Sequence, residues 1–237
     1  MMRRHHYLLT FLPHLGELGD APPLTLADLL AHVAESDGPR AAVEALLLAD
    51  DLVQRDSLLA GESDQAAPTV LTDEQVRGDE PLPSALTEDE SPTPPRVAAD
   101  AVWTAYFRHA AQVAAQQGSG LLAAWVGMEV ALRNALAETR AKALGLEARE
   151  YLVAEDLADH QANFGAMLTA YSAADNPLAA LNVVHQARWE WMSEHDGWFT
   201  FGDDEVVGYA AKLMLLERWY RLSHSEAGRR QVAAEQT

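Results

Sequence analysis

The sequence predicts a mainly α-helical protein: a multi-helix bundle with a short N-terminal extended segment and a long acidic, Pro-rich loop. Three observations lead there. Apolar residues recur at i, i+3, i+4 and i+7 in several separate stretches, the spacing of one helix face. Helix breakers and caps stand between those stretches: Pro39, Gly118-Ser119-Gly120, Gly145 and Asp175-Asn176-Pro177. Hydrophobic residues make up 49% of the 237, enough for a core and too many for general disorder.

Taken in order, Tyr7 to Leu12 reads as a short strand or buried extended segment, and Pro13, Gly16, Gly19, Pro22 and Pro23 mark a loop. Thr25 with Asp28 resembles a capping box, and Leu26, Leu29, Leu30 and Val33 supply an inner helical face. Ser36-Asp37-Gly38-Pro39 breaks that helix and starts a second, whose inner face is Val43, Leu46, Leu47 and Val53 up to about Leu59. The tight connection predicts a helical hairpin, so residues 1–60 form a small N-terminal module. Residues 61–97 hold nine acidic residues and six prolines. Such a stretch has little apolar surface to offset its chain entropy, and it reads as an exposed linker with one helical turn near Thr72–Val76. Residues 98–237 form the main bundle and hold all six tryptophans. Trp103, Tyr106, Phe107, Ala110 and Val113 make one stripe; helices follow at about 121–144, 155–173, 178–195 and 203–223. The last is apolar on a broad face, which predicts burial on more than one side. The tail after Gly228 is polar and is expected to fray.

Composition narrows the function. The formal net charge is -19, from 17 basic and 36 acidic residues. Such a chain repels phosphate backbones and anionic lipid, so nucleic acid is a poor partner and basic protein surfaces are better ones. The absence of Cys removes disulfide and thiolate chemistry. Met1 to Leu15 mimics a secretory signal, but its apolar part, Tyr7–Leu12, is shorter than the ~7–15 residues of such a region. No apolar run approaches the ~20 residues of a membrane span, and the expected location is the cytoplasm.

Motifs for chemistry are missing where they would be looked for. The nine His residues include no H-x-x-x-H or H-E-x-x-H spacing. Gly118-Ser119-Gly120-Leu121-Leu122-Ala123 superficially fits a dinucleotide fingerprint, but a helix precedes it where a strand is required, so it reads as a helix breaker. There is neither a P-loop nor a nucleophile elbow. The expectation is a chain without catalytic residues, cofactor or metal. What stands out is charge set among apolar residues. Glu129 and Arg133 are four apart in the favourable order, and Asn134 and Arg140 continue the same helix. Arg188 and Glu190 flank Trp189, and Lys212 precedes Glu217-Arg218-Trp219. These residues read as an interhelical ion-pair network or as partner-docking residues. Trp198 and Phe199, beside glycines in a loop, are the best exposed contacts. The enzymatic alternative is a hydrolase using Glu129 or Glu190 as base.

Three stretches also carry a resemblance. The first is His6-Tyr7-Leu8-Leu9-Thr10-Phe11-Leu12-Pro13-His14-Leu15 with Pro22-Pro23-Leu24-Thr25. The second runs from Glu129 to Arg140, with Lys142 and Tyr151-Leu152. The third is Arg188-Trp189-Glu190-Trp191 with Tyr209-Ala210-Ala211-Lys212-Leu213 and Leu216-Glu217-Arg218-Trp219. Together they resemble an uncharacterised bacterial family encoded in V/A-type ATPase operons. The resemblance implies a non-catalytic accessory subunit, a counterpart of the helical socket of V-type ATPases that joins the rotating central stalk to the membrane ring. Such a subunit couples or assembles stalk and ring, and is peripheral to the inner membrane through its partner subunits. A general helical adaptor of another complex is the alternative.

Overall fold

Side chains that bond back to their own backbone set the helix starts. The Thr25 hydroxyl accepts the Asp28 N–H while the Asp28 carboxylate accepts the Thr25 N–H. The Asn176 side chain accepts the Ala179 N–H, with Pro177 in the first turn. Ser119 accepts the Leu122 N–H and donates its hydroxyl to Asp204 at 2.6 Å. Asp204 also accepts the Leu121 N–H, so the N-termini of two long helices are tied together. Gly118 and Gly145 close helices in the left-handed conformation, at φ 68° and 69°, where a side chain would be strained.

The computed structural model describes residues 5–36, 38–87, 97–197 and 199–235, with side chains to 224. Among the described residues there are nine α-helices and no strand. They are α1 (His6–Phe11), α2 (Leu26–Glu35), α3 (Arg40–Leu59), α4 (Asp73–Arg77), α5 (Ala98–Gln117), α6 (Gly120–Leu144), α7 (Gly165–Ser172), α8 (Pro177–His195) and α9 (Asp203–Glu235). The chain is therefore a mainly α multi-helix bundle. At its centre α3 packs on α5 and α9, α5 on α6, and α8 on α9. Leu46 and Leu47 of α3 share one core with Trp103, Trp125, Leu132 and Leu216. Helix α9 is buried all round over Val206, Val207, Ala210, Ala211 and Leu213–Leu216. Among the described residues, no helix is long and apolar enough to cross a membrane.

Four expectations are corrected. Tyr7–Leu12 is helical up to Phe11, where a strand or extended segment was expected. Leu8 and Leu12, four apart, are buried, while Tyr7 and Phe11 stack outside at 80% and 57% exposure. A short apolar run cannot distinguish these two periods by itself. The segment 61–97 is not uniformly exposed. The buried Asp51 carboxylate accepts the N–H groups of Thr69, Val70 and Leu71 at 2.7–2.8 Å. The predicted turn then forms as α4, boxed by Thr72 and Gln75, and Leu71, Val76, Leu82 and Leu86 are buried. Residues 88–96, with Ser91-Pro92-Thr93-Pro94-Pro95, lie outside the described residues, as does Asp37.

The helix expected over 155–173 is shortened to α7, with isolated 3-10 turns at Ala148–Tyr151 and Glu155–Leu157 before it. Tertiary bonds hold this stretch off the helical path. The Asn134 amide donates to the Val153 carbonyl and accepts its N–H, both at 2.9 Å, and Asp159 N–H donates to the Gly127 carbonyl. Finally, α9 continues to Glu235, past the end near 223 expected for it.

Asp51 makes a direct test of the 69–71 anchor. Asp51→Ala leaves three backbone donors without their carboxylate and is expected to cost about 3 kcal/mol in urea denaturation. Amide exchange at 69–71 should accelerate with it. A loss below about 1 kcal/mol would show that the segment is held by its apolar contacts alone.

Candidate functional site

Helices α3, α5, α6, α8 and α9 leave between them a half-open groove of about 660 Å³. Its deepest residues are nearly sealed from solvent: Tyr106, Trp125, His185 and Met214. Its margin is apolar and open. Val53, expected on the inner face of its helix, is exposed here; with Leu144, Leu146 and Leu181 it lines the groove and ranks among the exposed large hydrophobic residues, Leu144 at 71%.

Charged pairs form the groove's wall. Arg188 grips Glu129 with two parallel bonds, Nε to Oε1 at 2.6 Å and Nη2 to Oε2 at 2.9 Å. Arg133 reaches Asp100 at 3.3 Å and lies 4.4 Å over the Trp103 ring. The Trp103 indole N–H donates to Asp56 at 2.8 Å. Behind the groove, Asp50 is fully buried and receives Arg218 Nε at 2.8 Å and Arg221 Nη2 at 2.5 Å. Arg221 also bonds Glu217, and Glu217 accepts the Leu26 N–H that opens α2.

Burial and pairing set the protonation states. Burial pushes the Asp50 carboxyl up, but the Arg218 and Arg221 guanidiniums outweigh it and hold the pKa below the usual carboxylate range. For Asp100 and Glu217 burial wins over their arginines, and both pKa values are raised. Burial, with Arg188 and Arg218 nearby, pushes His185 well below the ordinary histidine value, so its imidazole is neutral at pH 7.

Two polar atoms here have no partner. His185 Nδ1 and Arg218 Nη2 are buried and make no hydrogen bond, although both residues line the groove. An orphaned buried group of this kind costs about 1–3 kcal/mol, and such groups in a native fold call for an explanation.

The structure redistributes the residues singled out by sequence. Glu129, Arg133, Arg140, Arg188 and Arg218 converge on the groove. Glu129 and Arg133, expected to pair along their helix, do not. A bidentate guanidinium from α8 outcompetes an i,i+4 contact of only ~0.2–0.5 kcal/mol, and Arg133 turns to α5 instead. Asn134 serves Val153, and Glu217 braces α2. Arg140 is exposed at the groove, donating Nε to the Tyr171 hydroxyl at 2.9 Å. Trp219 stands against His185, ring centroids 5.6 Å apart.

Others lie elsewhere. Glu190 is exposed on α8 and accepts from Gln186. Lys212 bonds Asp196 at 2.5 Å, joining α9 to the end of α8. Phe199 is 78% exposed with φ 57°, and Trp198 lies outside the described residues. Sequence reasoning missed Asp50, Asp56, Asp100 and His185. Asp50 had a signal: it continues the inner face of Val43, Leu46 and Leu47 in an apolar run.

Among the described residues, no three His, Asp or Glu side chains are grouped so as to hold a metal ion. No protein-family model, curated protein or solved structure matches the chain.

Asp50 should dominate both stability and its acid dependence. Asp50→Asn leaves Arg218 buried without its countercharge, and the expected cost is about 3–5 kcal/mol. The folded pKa is lowered, so the stability from this group is complete above the ordinary carboxylate pKa. It is lost as pH falls through the lower folded value. Unfolding free energies measured from neutral to acid pH should therefore fall less steeply in the variant than in the parent. Parallel curves would show that Asp50 is not the titrating group.

Proposed function

We propose that this chain is a non-catalytic accessory subunit of a V/A-type rotary ATPase that couples or assembles the central stalk and the membrane ring. The observation that carries the docking part of this reading is the groove margin, where Val53, Leu144, Leu146 and Leu181 stand exposed around a floor of tryptophan, tyrosine and methionine. Exposed apolar residues gathered at one cleft mark an interaction surface, and a helix laid in a groove is a common mode of recognition. The rotary ATPase part rests on the resemblance. Two of its three stretches fall mostly on α6, α8 and α9, three of the five helices that line the groove, and the groove-lining Glu129, Arg133, Arg188 and Arg218 belong to them.

The geometry supports docking over hydrolysis. A base at Glu129 would need a free carboxylate, and Arg188 occupies both of its oxygens. Glu190 is on the exposed face of α8, outside the groove. In this proposal the protein is cytoplasmic and reaches the membrane through its partner subunits.

Affinity-tagged full-length chain, expressed in its native host, should retain stalk or ring subunits of the ATPase. Leu144→Asp with Leu181→Asp should lower that recovery by about tenfold, equivalent to ~1.4 kcal/mol, with the helical circular dichroism unchanged. Arg218 is a poor choice for this test because it holds Asp50. Recovery of a different complex would replace the ATPase by another partner, and recovery unaffected by the leucine changes would remove the groove from the interface.

A further inference from the structure

The groove also constrains the chemistry of what fills it. Four arginines line it. Arg188 is spent on Glu129, and Arg133 on Asp100. Arg140 pairs with no carboxylate among the described residues; its one bond is to a neutral phenol. Arg218 gives Nε to Asp50 and leaves Nη2 without an acceptor. His185, 2% exposed, leaves Nδ1 without a partner. The acids are in the opposite condition. Glu129, Asp100 and Asp56 all accept from groove residues, and Glu62 is engaged as well. The buried donor left over is Arg218 Nη2, joined by His185 in the tautomer that carries its proton on Nδ1, and the exposed one is Arg140.

We infer that the groove takes an amphipathic helix of a partner subunit whose apolar stripe is flanked by carboxylates, one accepted by Arg140 and another by Arg218 with His185. The inference rests on the docking reading above and adds the partner's chemistry. The leucine and valine margin receives the stripe. Its residues come from α3, α6, the turn after α6 and α8, so the slot is walled by separate helices. A neutral imidazole with its proton on Nδ1 donates from that nitrogen, and a guanidinium holding one carboxylate by Nε still presents its remaining N–H groups to a second. A uniformly acidic partner is disfavoured by the net charge of -19. Single carboxylates set in an apolar stripe satisfy the donors without that long-range repulsion.

The test uses three labelled synthetic helices of about 20 residues, roughly 30 Å long. They are identical except that two positions flanking a leucine stripe carry Glu, Gln or Lys. Each is titrated with the full chain and followed by fluorescence anisotropy. The Glu peptide should bind about tenfold more tightly than the Gln peptide, the gain of a charge-assisted bond, and the Lys peptide most weakly. Arg140→Gln, at an exposed position, and His185→Leu should each reduce the preference for Glu over Gln without changing circular dichroism. Equal binding of Glu and Gln, preference for Lys, no binding by any peptide, or indifference to both substitutions would overturn the inference. The two readings fail separately. Preference for Glu in a chain that retains no ATPase subunit sinks only the ATPase reading. Retention of those subunits with no Glu preference sinks only this one.

Discussion

One buried carboxylate sets the geometry of the bundle. Asp50 sits on α3 without solvent and meets two guanidiniums from α9, Arg218 and Arg221. An ionised carboxylate in such a place is tolerated only when its charge and lone pairs are answered. That requirement fixes the rotation of α3 about its axis and the register of α9 against it. The constraint propagates. Arg221 also bonds Glu217, which accepts the first N–H of α2. The neighbouring Asp51 points its carboxylate at the backbone of 69–71. Two consecutive acids thus place α2, α9 and the segment leading into α4. Packing alone would allow several rotations of an apolar helix such as α3, because it is buried over so much of its circumference.

The same arrangement shapes the groove. Arg218 is held by its Nε from behind, so the rest of its guanidinium is directed by a structural duty. Burial, with Arg188 and Arg218 nearby, keeps His185 neutral, which removes a charge that would otherwise repel Arg188 and Arg218. Glu129 and Asp100, coming from α6 and α5, hold Arg188 and Arg133 from α8 and α6. Each pair crosses between helices and immobilises side chains, which favours the proposed docking. A surface ordered in advance loses less conformational freedom on association.

Much of this fold was legible because its signals are local. Thr25 with Asp28, Asn176 with Pro177 and the two left-handed glycines define helix ends by contacts within a few residues. The apolar breadth of α9 announced its burial. Local signals fail where a distant residue decides. Asn134 claims the backbone of Val153 just ahead of it and Gly127 takes the Asp159 N–H within it, so a helical pattern over 155–164 is interrupted by bonds to residues that no window of that length contains. Residues Tyr7–Leu12 are too few for one period to exceed the other. The acid count of 61–97 hid four apolar residues, Leu71, Val76, Leu82 and Leu86, whose burial holds 69–86 against the core.

The candidate site was half legible for a related reason. Sequence showed which arginines and acids sit among apolar neighbours, and five of them do meet at the groove. It could not show who pairs with whom, because pairing depends on which helices touch. Glu129 had a basic residue four positions away and took another 59 positions away. Near-complete pairing of the acids, beside incomplete pairing of the donors, is a property of the assembled bundle alone. It bears on function because the two kinds of residue differ in what they leave available. A paired acid on a groove wall is a fixed feature of shape and field, whereas an unspent guanidinium donor beside exposed leucines is what the proposed docking would use.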